Sequence, residues 1–188
     1  NKAEAAGFSA VFLTAYYGLI QLAAVQPGHN VLVHSAAGGV GGALLQLGRI
    51  HGAKTVGVVG RSHKVEVAEK LGANTVIDKS SQDLWKIAEQ EAPEGYQVIL
   101  DANGVSTLGE SYKHLAPTGR LVVYGFASML PKKGGRPNWL KLAWDWLRTP
   151  RFNPLDMTTE NKSVMAFNLS YLFEHVEVLA EGMGDLLD

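Results

Sequence analysis

The segment Ser35-Ala36-Ala37-Gly38-Gly39-Val40-Gly41-Gly42 has the residue types and spacing to hold an anion. Small residues let a ligand approach the backbone. At the start of a helix, bare N–H groups and the positive end of the dipole attract a group such as a pyrophosphate. Against the pattern Gly-x-Gly-x-x-Gly the three positions are Ala36, Gly38 and Gly41, so the first glycine is missing. Tight packing alone could also use such a turn. Its setting favours the binding reading. Val31-Leu32-Val33-His34 precedes it as a strand, and Leu44, Leu45, Leu47 and Ile50 follow at helical spacing, which is where a dinucleotide turn belongs.

A second group of residues bears on which nucleotide is bound. Folds that hold an unphosphorylated adenosine ribose put Asp or Glu at the end of the second strand, about 20 residues beyond the turn. Here the strand Thr55–Val59 ends in Gly60, Arg61, Ser62, His63 and Lys64, and no carboxylate occurs before Glu66. Arg61 and Lys64, with a hydroxyl from Ser62, suit the charge of a 2′-phosphate. An exposed basic helix start is the alternative, although cations are disfavoured at that end of a helix. The expected cofactor is NADPH.

These loops need strands and helices to hold them. Val31–His34, Thr55–Val59, Thr75–Ile77, Gln97–Leu100 and Leu121–Tyr124 are nearly continuous in apolar character, as strands covered on both faces are. Ser163–Phe167 is a sixth candidate. Segments of crossover length separate the first four strands, which predicts a parallel sheet with helices on both faces. Gly52-Ala53-Lys54-Thr55-Val56 and Gly72-Ala73-Asn74-Thr75-Val76 share one pattern, a helix-ending glycine followed at once by a β-branched strand. The expected fold is α/β, a doubly wound parallel sheet of about six strands.

Residues 127–160 break this rhythm with Pro131, Pro137, Pro150 and Pro154 and the cations Lys132, Lys133 and Arg136. Within them Trp139, Leu140, Ala143, Trp146 and Leu147 recur at helical spacing. The expectation is an excursion between strands five and six with one amphipathic helix, Pro137 lying near its first turn. That stripe would cover the domain's own core or a subunit contact, or else dock at a lipid interface.

The 188 residues carry a net charge of −1 and no cysteine. The charge gives no general attraction for nucleic acid, and the composition excludes disulfides and thiolate metal sites within this segment. No apolar run approaches the roughly 20 residues of a membrane span, and the first residues do not resemble a signal peptide. The chain, opening on Asn1, is read as a segment of a longer gene product, with a cytoplasmic location expected.

Thr14-Ala15-Tyr16, the run Val31–Gly41 and Gly119-Arg120-Leu121-Val122-Val123-Tyr124-Gly125 together resemble the quinone-oxidoreductase branch of the medium-chain dehydrogenase/reductase superfamily. The tail, with Asn153-Pro154-Leu155 and Glu160-Asn161-Lys162-Ser163-Val164, is most similar to the synaptic-vesicle amine-transport protein homologues of that branch. The resemblance implies a Rossmann fold with strand order 3-2-1-4-5-6. It implies that a GroES-like catalytic domain and a returning C-terminal segment lie outside this chain. By motif, Thr14 would approach the nicotinamide. Ala37, Gly38, Gly39, Val40 and Gly41 would surround the pyrophosphate, Lys64 would meet the 2′-phosphate, and Asn103-Gly104 and Gly125-Phe126 would line the ribose and nicotinamide side. Ser35 and Gly60 complete the expected contacts. Asn103 equally suits a turn residue. Lys79, where some relatives have Tyr, would strengthen phosphate binding or face solvent. Ala10 stands where zinc-dependent members have Cys and cannot ligate a metal, so no metal site is expected.

The implied chemistry is zinc-independent hydride transfer from NADPH to a quinone or an α,β-unsaturated carbonyl. No residue is assigned a catalytic role. Tyr16, Tyr17 and Tyr124 read as packing residues, the proton donor is expected outside the segment, and the isolated segment is expected to be inactive. The alternatives are the enoyl reductase of a fatty-acid or polyketide synthase and a noncatalytic NADPH-binding scaffold or vesicle-associated module. The full-length protein is expected to form a homodimer through strands five and six.

Overall fold

Apolar residues at every position of a strand require cover on both faces, and a computed structural model shows where that cover comes from. It describes residues 2–127, 139–171 and 176–187. The strands are β1 (Asn30–Val33), β2 (Lys54–Val59), β3 (Thr75–Asp78), β4 (Tyr96–Asp101), β5 (Leu115–Val123) and β6 (Ser163–Ala166). They form one sheet in the order β3-β2-β1-β4-β5-β6, and every pair is parallel. This is the doubly wound, Rossmann-like fold expected from the sequence.

The helices are α1 (Lys2–Tyr16), α2 (Gly39–Ile50), α3 (Val65–Lys70), α4 (Leu84–Glu91), α5 (Leu108–Lys113), α6 (Trp139–Arg148), α7 (Pro154–Glu160) and α8 (Val176–Leu187). A π-helical segment, Tyr17–Leu22, continues α1. Side chains alternate between the faces of the sheet. Val31, Val33, Val98, Leu100 and Val122 pack with Leu19, Leu44, Leu45 and Ala68, on the side of α1, α2 and α3. Leu32, Val56, Val58, Ile99 and Leu121 pack with Leu84, Ala88 and Leu108, on the side of α4 and α5. Tyr96 is fully buried at the start of β4, and its hydroxyl donates to the Ala88 carbonyl at 2.9 Å. Gly52 and Gly72, at φ +69° and +110°, end α2 and α3 as their repeated pattern predicts.

One expectation needs correction, and one set of alternatives is narrowed. The excursion after β5 carries two helices among its described residues, because Asn153 caps α7 by accepting from the Leu155 N–H and Pro154 supplies its first turn. The stripe on α6 does not cover the domain's own core. No residue of α6 is buried, and Trp139 and Leu140 are 76 % and 85 % exposed. Spacing predicts which residues share a helix face, but it does not say whether a neighbour exists. Pro137 and the cations Lys132, Lys133 and Arg136 lie outside the described residues.

Candidate functional site

Strand order reverses between β1, which leads outward through β2, and β4, which leads outward on the other side. Loops at the carboxyl ends diverge there and leave a crevice, the usual ligand position in such sheets. Two cavities open along it. The first, of about 360 Å³, is lined by Ser35, Ala37, Gly38, Val58, Val59, Gly60, Arg61, Lys64 and Lys79. The second, of about 450 Å³, is lined by Ala10, Thr14, Val40, Ala102, Tyr124, Gly125, Phe126, Ala127 and Asn168–Ser170. Gly38, just before α2, lines the first, and Val40, in the first turn of α2, lines the second.

Gly38 precedes α2 in extended backbone (φ −86°, ψ 172°) and has no side chain to cap it, so the first N–H groups of the helix have no intrahelical acceptor. Ser35 turns the chain with φ +54°. Gly41 is buried against that turn, and an added Cβ would clash with the Ser35 carbonyl and lie 2.8 Å from Ala36 Cα. Its glycine therefore serves close packing of helix on turn. Gly38 and Gly39 are exposed and leave the backbone open.

The first cavity is cationic. Arg61, Lys64 and Lys79 are exposed and form no ion pair among the described residues. Ser62 departs from expectation. Its hydroxyl donates to Asp78 Oδ2 at 2.6 Å, and it does not line the cavity. Asp78, at the end of β3, also accepts from the Ser80 N–H (2.9 Å), the Ser80 hydroxyl (2.6 Å) and the Ser81 hydroxyl (3.2 Å). These bonds, Ser62's first, hold the carboxyl down to about 2. One carboxylate thus ties the loop bearing Arg61 and Lys64 to the loop bearing Lys79.

Behind the cleft lies a second strand-end carboxylate. Asp101 is fully buried at the end of β4. Its Oδ1 accepts the N–H groups of Asn103 (2.7 Å) and Gly104 (3.1 Å), and its Oδ2 accepts the Ser111 hydroxyl (3.0 Å). His34 Nε2 lies 3.0 Å from Ser111 Oγ. Because Ser111 gives its hydrogen to Asp101, it accepts from His34 Nε2–H, and His34 Nδ1 remains a buried acceptor without a partner. Burial pushes the imidazole down to about 4, against the raising effect of Asp101 and with a further lowering by Lys79. These three residue types could suggest a hydrolytic triad. Complete burial of His34, Ser111 and Asp101 makes them a brace for the β4–α5 turn instead.

Asn103 sits on that turn, buried, and its Oδ1 accepts the Ser35 hydroxyl at 3.0 Å. Gly104 backs Phe126, since a Cβ there would lie 2.6 Å from Phe126 Cδ1. In the second cavity the Thr14 hydroxyl donates to the Ala10 carbonyl at 2.7 Å. Tyr124 stacks on Phe167 with centroids 6.4 Å apart, and burial, then Asp101, raises its phenol above the usual range.

The structure therefore gathers Ser35, Ala37, Gly38, Gly60, Arg61, Lys64 and Lys79 at one cavity and Thr14, Val40, Gly125 and Phe126 at the other. Gly39, Gly41, Ser62, Asn103 and Gly104 line neither cavity. Sequence reasoning passed over Asp78, Asp101, Ser111 and His34. A signal was present for two of these. An Asp ending a strand, followed by Ser-Ser at Ser80-Ser81 or by Asn-Gly at Asn103-Gly104, is the pattern of a carboxylate bonding the loop that follows it.

Fold and crevice define the class as a Rossmann-like α/β domain built on the dinucleotide-binding plan. Residues 39–176 match the family model described as zinc-binding dehydrogenase, and the chain belongs to that family, within the medium-chain dehydrogenase/reductase superfamily. It is 34 % identical over 184 residues to the synaptic vesicle membrane protein VAT-1 homolog of Rattus norvegicus, covering 98 % of this chain and 45 % of that protein. The chain thus spans about half the length of the curated relatives it matches. Among solved structures it is similar to the quinone oxidoreductase of Thermus thermophilus, studied also as its complex with NADPH, with TM-score 0.74, 28 % identity and coverage of 96 % of this chain and 52 % of that one. It is also similar to the CurK enoyl reductase, with TM-score 0.70, 28 % identity and coverage of 94 % and 48 %. The family's name notwithstanding, Ala10 lines the second cavity without a ligand atom, and no group of three or more His, Cys, Asp or Glu among the described residues could hold a metal. No helix of the described residues is long and apolar enough to cross a membrane.

Proposed function

We propose that residues 1–188 form the NADPH-binding domain of a longer, zinc-independent oxidoreductase that reduces quinones or α,β-unsaturated carbonyls. The observation that carries this reading is the first cavity. It joins Gly38, at the entry to α2, to Arg61, Lys64 and Lys79, and no carboxylate among the described residues lines it. The residues present fit a dinucleotide with a third phosphate. Gly38 and Gly39 leave room at the backbone for a diphosphate, and Arg61, Lys64 and Lys79 supply charge for a 2′-phosphate. Bound there, NADPH supplies hydride. The chain's own part is to hold the phosphates and to offer Thr14, Tyr124 and Phe126 around the second cavity, where the reactive ring would lie. The substrate is a small molecule, and a second copy meeting the β6 edge belongs to the same proposal.

The test is titration with NADPH and NADH, repeated with Arg61→Ala and Lys64→Ala combined. NADPH should bind more tightly, and the double variant should lose about 10- to 100-fold of that affinity while NADH changes little, since charge-assisted contacts contribute about 1.5–3 kcal/mol and exposure reduces this. Equal affinities in the unsubstituted protein would defeat the proposal. Likeness to an enoyl reductase supports a second reading with the same cofactor site. Comparing a quinone with an enoyl thioester as acceptor for the full-length protein separates the two.

A further inference from the structure

Asn103 is 8 % exposed, yet its side-chain nitrogen Nδ2 is buried with no hydrogen-bond partner among the described residues. An unpaired donor inside a protein is uncommon, and an unpaired oxygen, which has a second lone pair, is less so. The position is also well determined. Asp101 holds the Asn103 and Gly104 N–H groups, Ser111 and His34 hold Asp101, and Asn103 Oδ1 accepts the Ser35 hydroxyl at 3.0 Å. Ser35 is exposed and lines the first cavity beside Gly38. One hydroxyl facing the anion cavity is therefore turned inward, toward the oxygen of an amide whose nitrogen lacks a partner.

We infer that Ser35 and Asn103 form a two-state hydrogen-bond pair that recognises a phosphoryl oxygen of the bound dinucleotide. The inference rests on the proposed function. Without ligand, the Ser35 hydroxyl donates to Asn103 Oδ1. With a phosphoryl oxygen in the cavity, the Asn103 carboxamide turns over about its Cβ–Cγ bond. Nδ2–H then donates to Ser35 Oγ, and the Ser35 hydroxyl donates to the ligand. The orphaned donor gains a partner, the unpaired atom becomes an oxygen, and the ligand gains a hydroxyl donor at the start of α2. Ser35 lies on the turn after β1, three residues before Gly38, where the proposed function puts the diphosphate. The pair therefore acts on NADPH and NADH alike.

The test uses the side-chain amide resonances of Asn103 in ¹⁵N-labelled protein, assigned by their loss in Asn103→Asp. Addition of NADPH should move these protons downfield and slow their exchange with solvent, as a newly made hydrogen bond requires. Ser35→Gly, which suits φ +54° and removes the CH2OH side chain with its hydroxyl, should weaken NADPH and NADH by the same factor, about tenfold. Asn103→Asp can accept but not donate and should also weaken both. Combined with Ser35→Gly it should cost well short of the product of the two losses. If NADPH binds while the Asn103 amide signals stay unmoved, or if Ser35→Gly binds as tightly as the parent, the pair is not a recognition device and the proposed function stands. If the unsubstituted protein binds no NADPH, both fall.

Discussion

Asp78 and Asp101 occupy equivalent places on neighbouring crossovers. Each ends a strand, and each accepts hydrogen bonds from the loop that follows and from a serine further away. Their surroundings differ. Asp78 works at the outer strand among exposed loops, where three serine hydroxyls and one N–H satisfy it. Asp101 works at the centre of the sheet, where two N–H groups and one hydroxyl complete its shell and a neutral imidazole stands behind the hydroxyl. The same chemical device thus ties the cationic loops together at the edge and braces the crevice at the centre. Asp78 is itself only 5 % exposed, but its partners Ser62, Ser80 and Ser81 are exposed and can turn to water when a bond is lost, whereas the buried partners of Asp101 cannot.

If that contrast holds, Asp101→Ala has the largest effect. It strands the N–H groups of Asn103 and Gly104 and the Ser111 hydroxyl away from water, and should lower stability by about 3–5 kcal/mol in urea unfolding. A loss below about 1 kcal/mol would break the distinction between centre and edge.

The next effect is a dependence on pH. His34 is neutral in the folded protein down to about 4, whereas an unfolded imidazole takes up its proton near 6.5. The unfolded state binds protons first, so stability should be complete above about pH 6.5 and fall as pH drops toward 4. His34→Gln should flatten this limb of a Tm-against-pH curve. Asp78 acts in a lower window. Its carboxyl is held near 2 against about 3.9 unfolded, so its contribution is present above about pH 3.9 and is lost as pH falls through 2.

Asp78→Asn should leave the fold intact and lower NADPH affinity severalfold while sparing NADH, because it loosens the loops of Arg61, Lys64 and Lys79 and touches no ligand itself. Equal losses for both nucleotides would show a general disturbance instead. The smallest effect belongs to α6. Replacing Trp139 and Trp146, 76 % and 64 % exposed, by Ala should change stability by no more than about 0.5 kcal/mol. A larger loss would mean that this helix is packed after all.

Much of this architecture is legible in the sequence. Runs such as Val31–His34 and Thr55–Val59 and the two Gly-Ala-x-Thr-Val joints carry local information, and local information is enough to order strands and helices in a parallel sheet. That Arg61 and Lys64 stand together at the end of β2 follows from the same local information, because they adjoin that strand. The bond from Ser62 to Asp78 was not legible, because the two lie 16 residues apart on separate loops and strands. Which of its possible partners α6 packs against was not legible, because an apolar stripe is written in sequence, while its neighbour is not.

By itself, then, the sequence determined the alternation of strand and helix, the glycine turn at Ser35–Gly42 and the absence of a carboxylate after β2. Tertiary structure alone decided that Asn103 reaches Ser35 across 68 residues and that Ser111 and His34 meet at Asp101. The reason is physical. Periodicity and turn chemistry act over a few residues, whereas a buried hydrogen bond depends on which strands the sheet places side by side, and parallel crossovers bring together residues that are far apart in the chain.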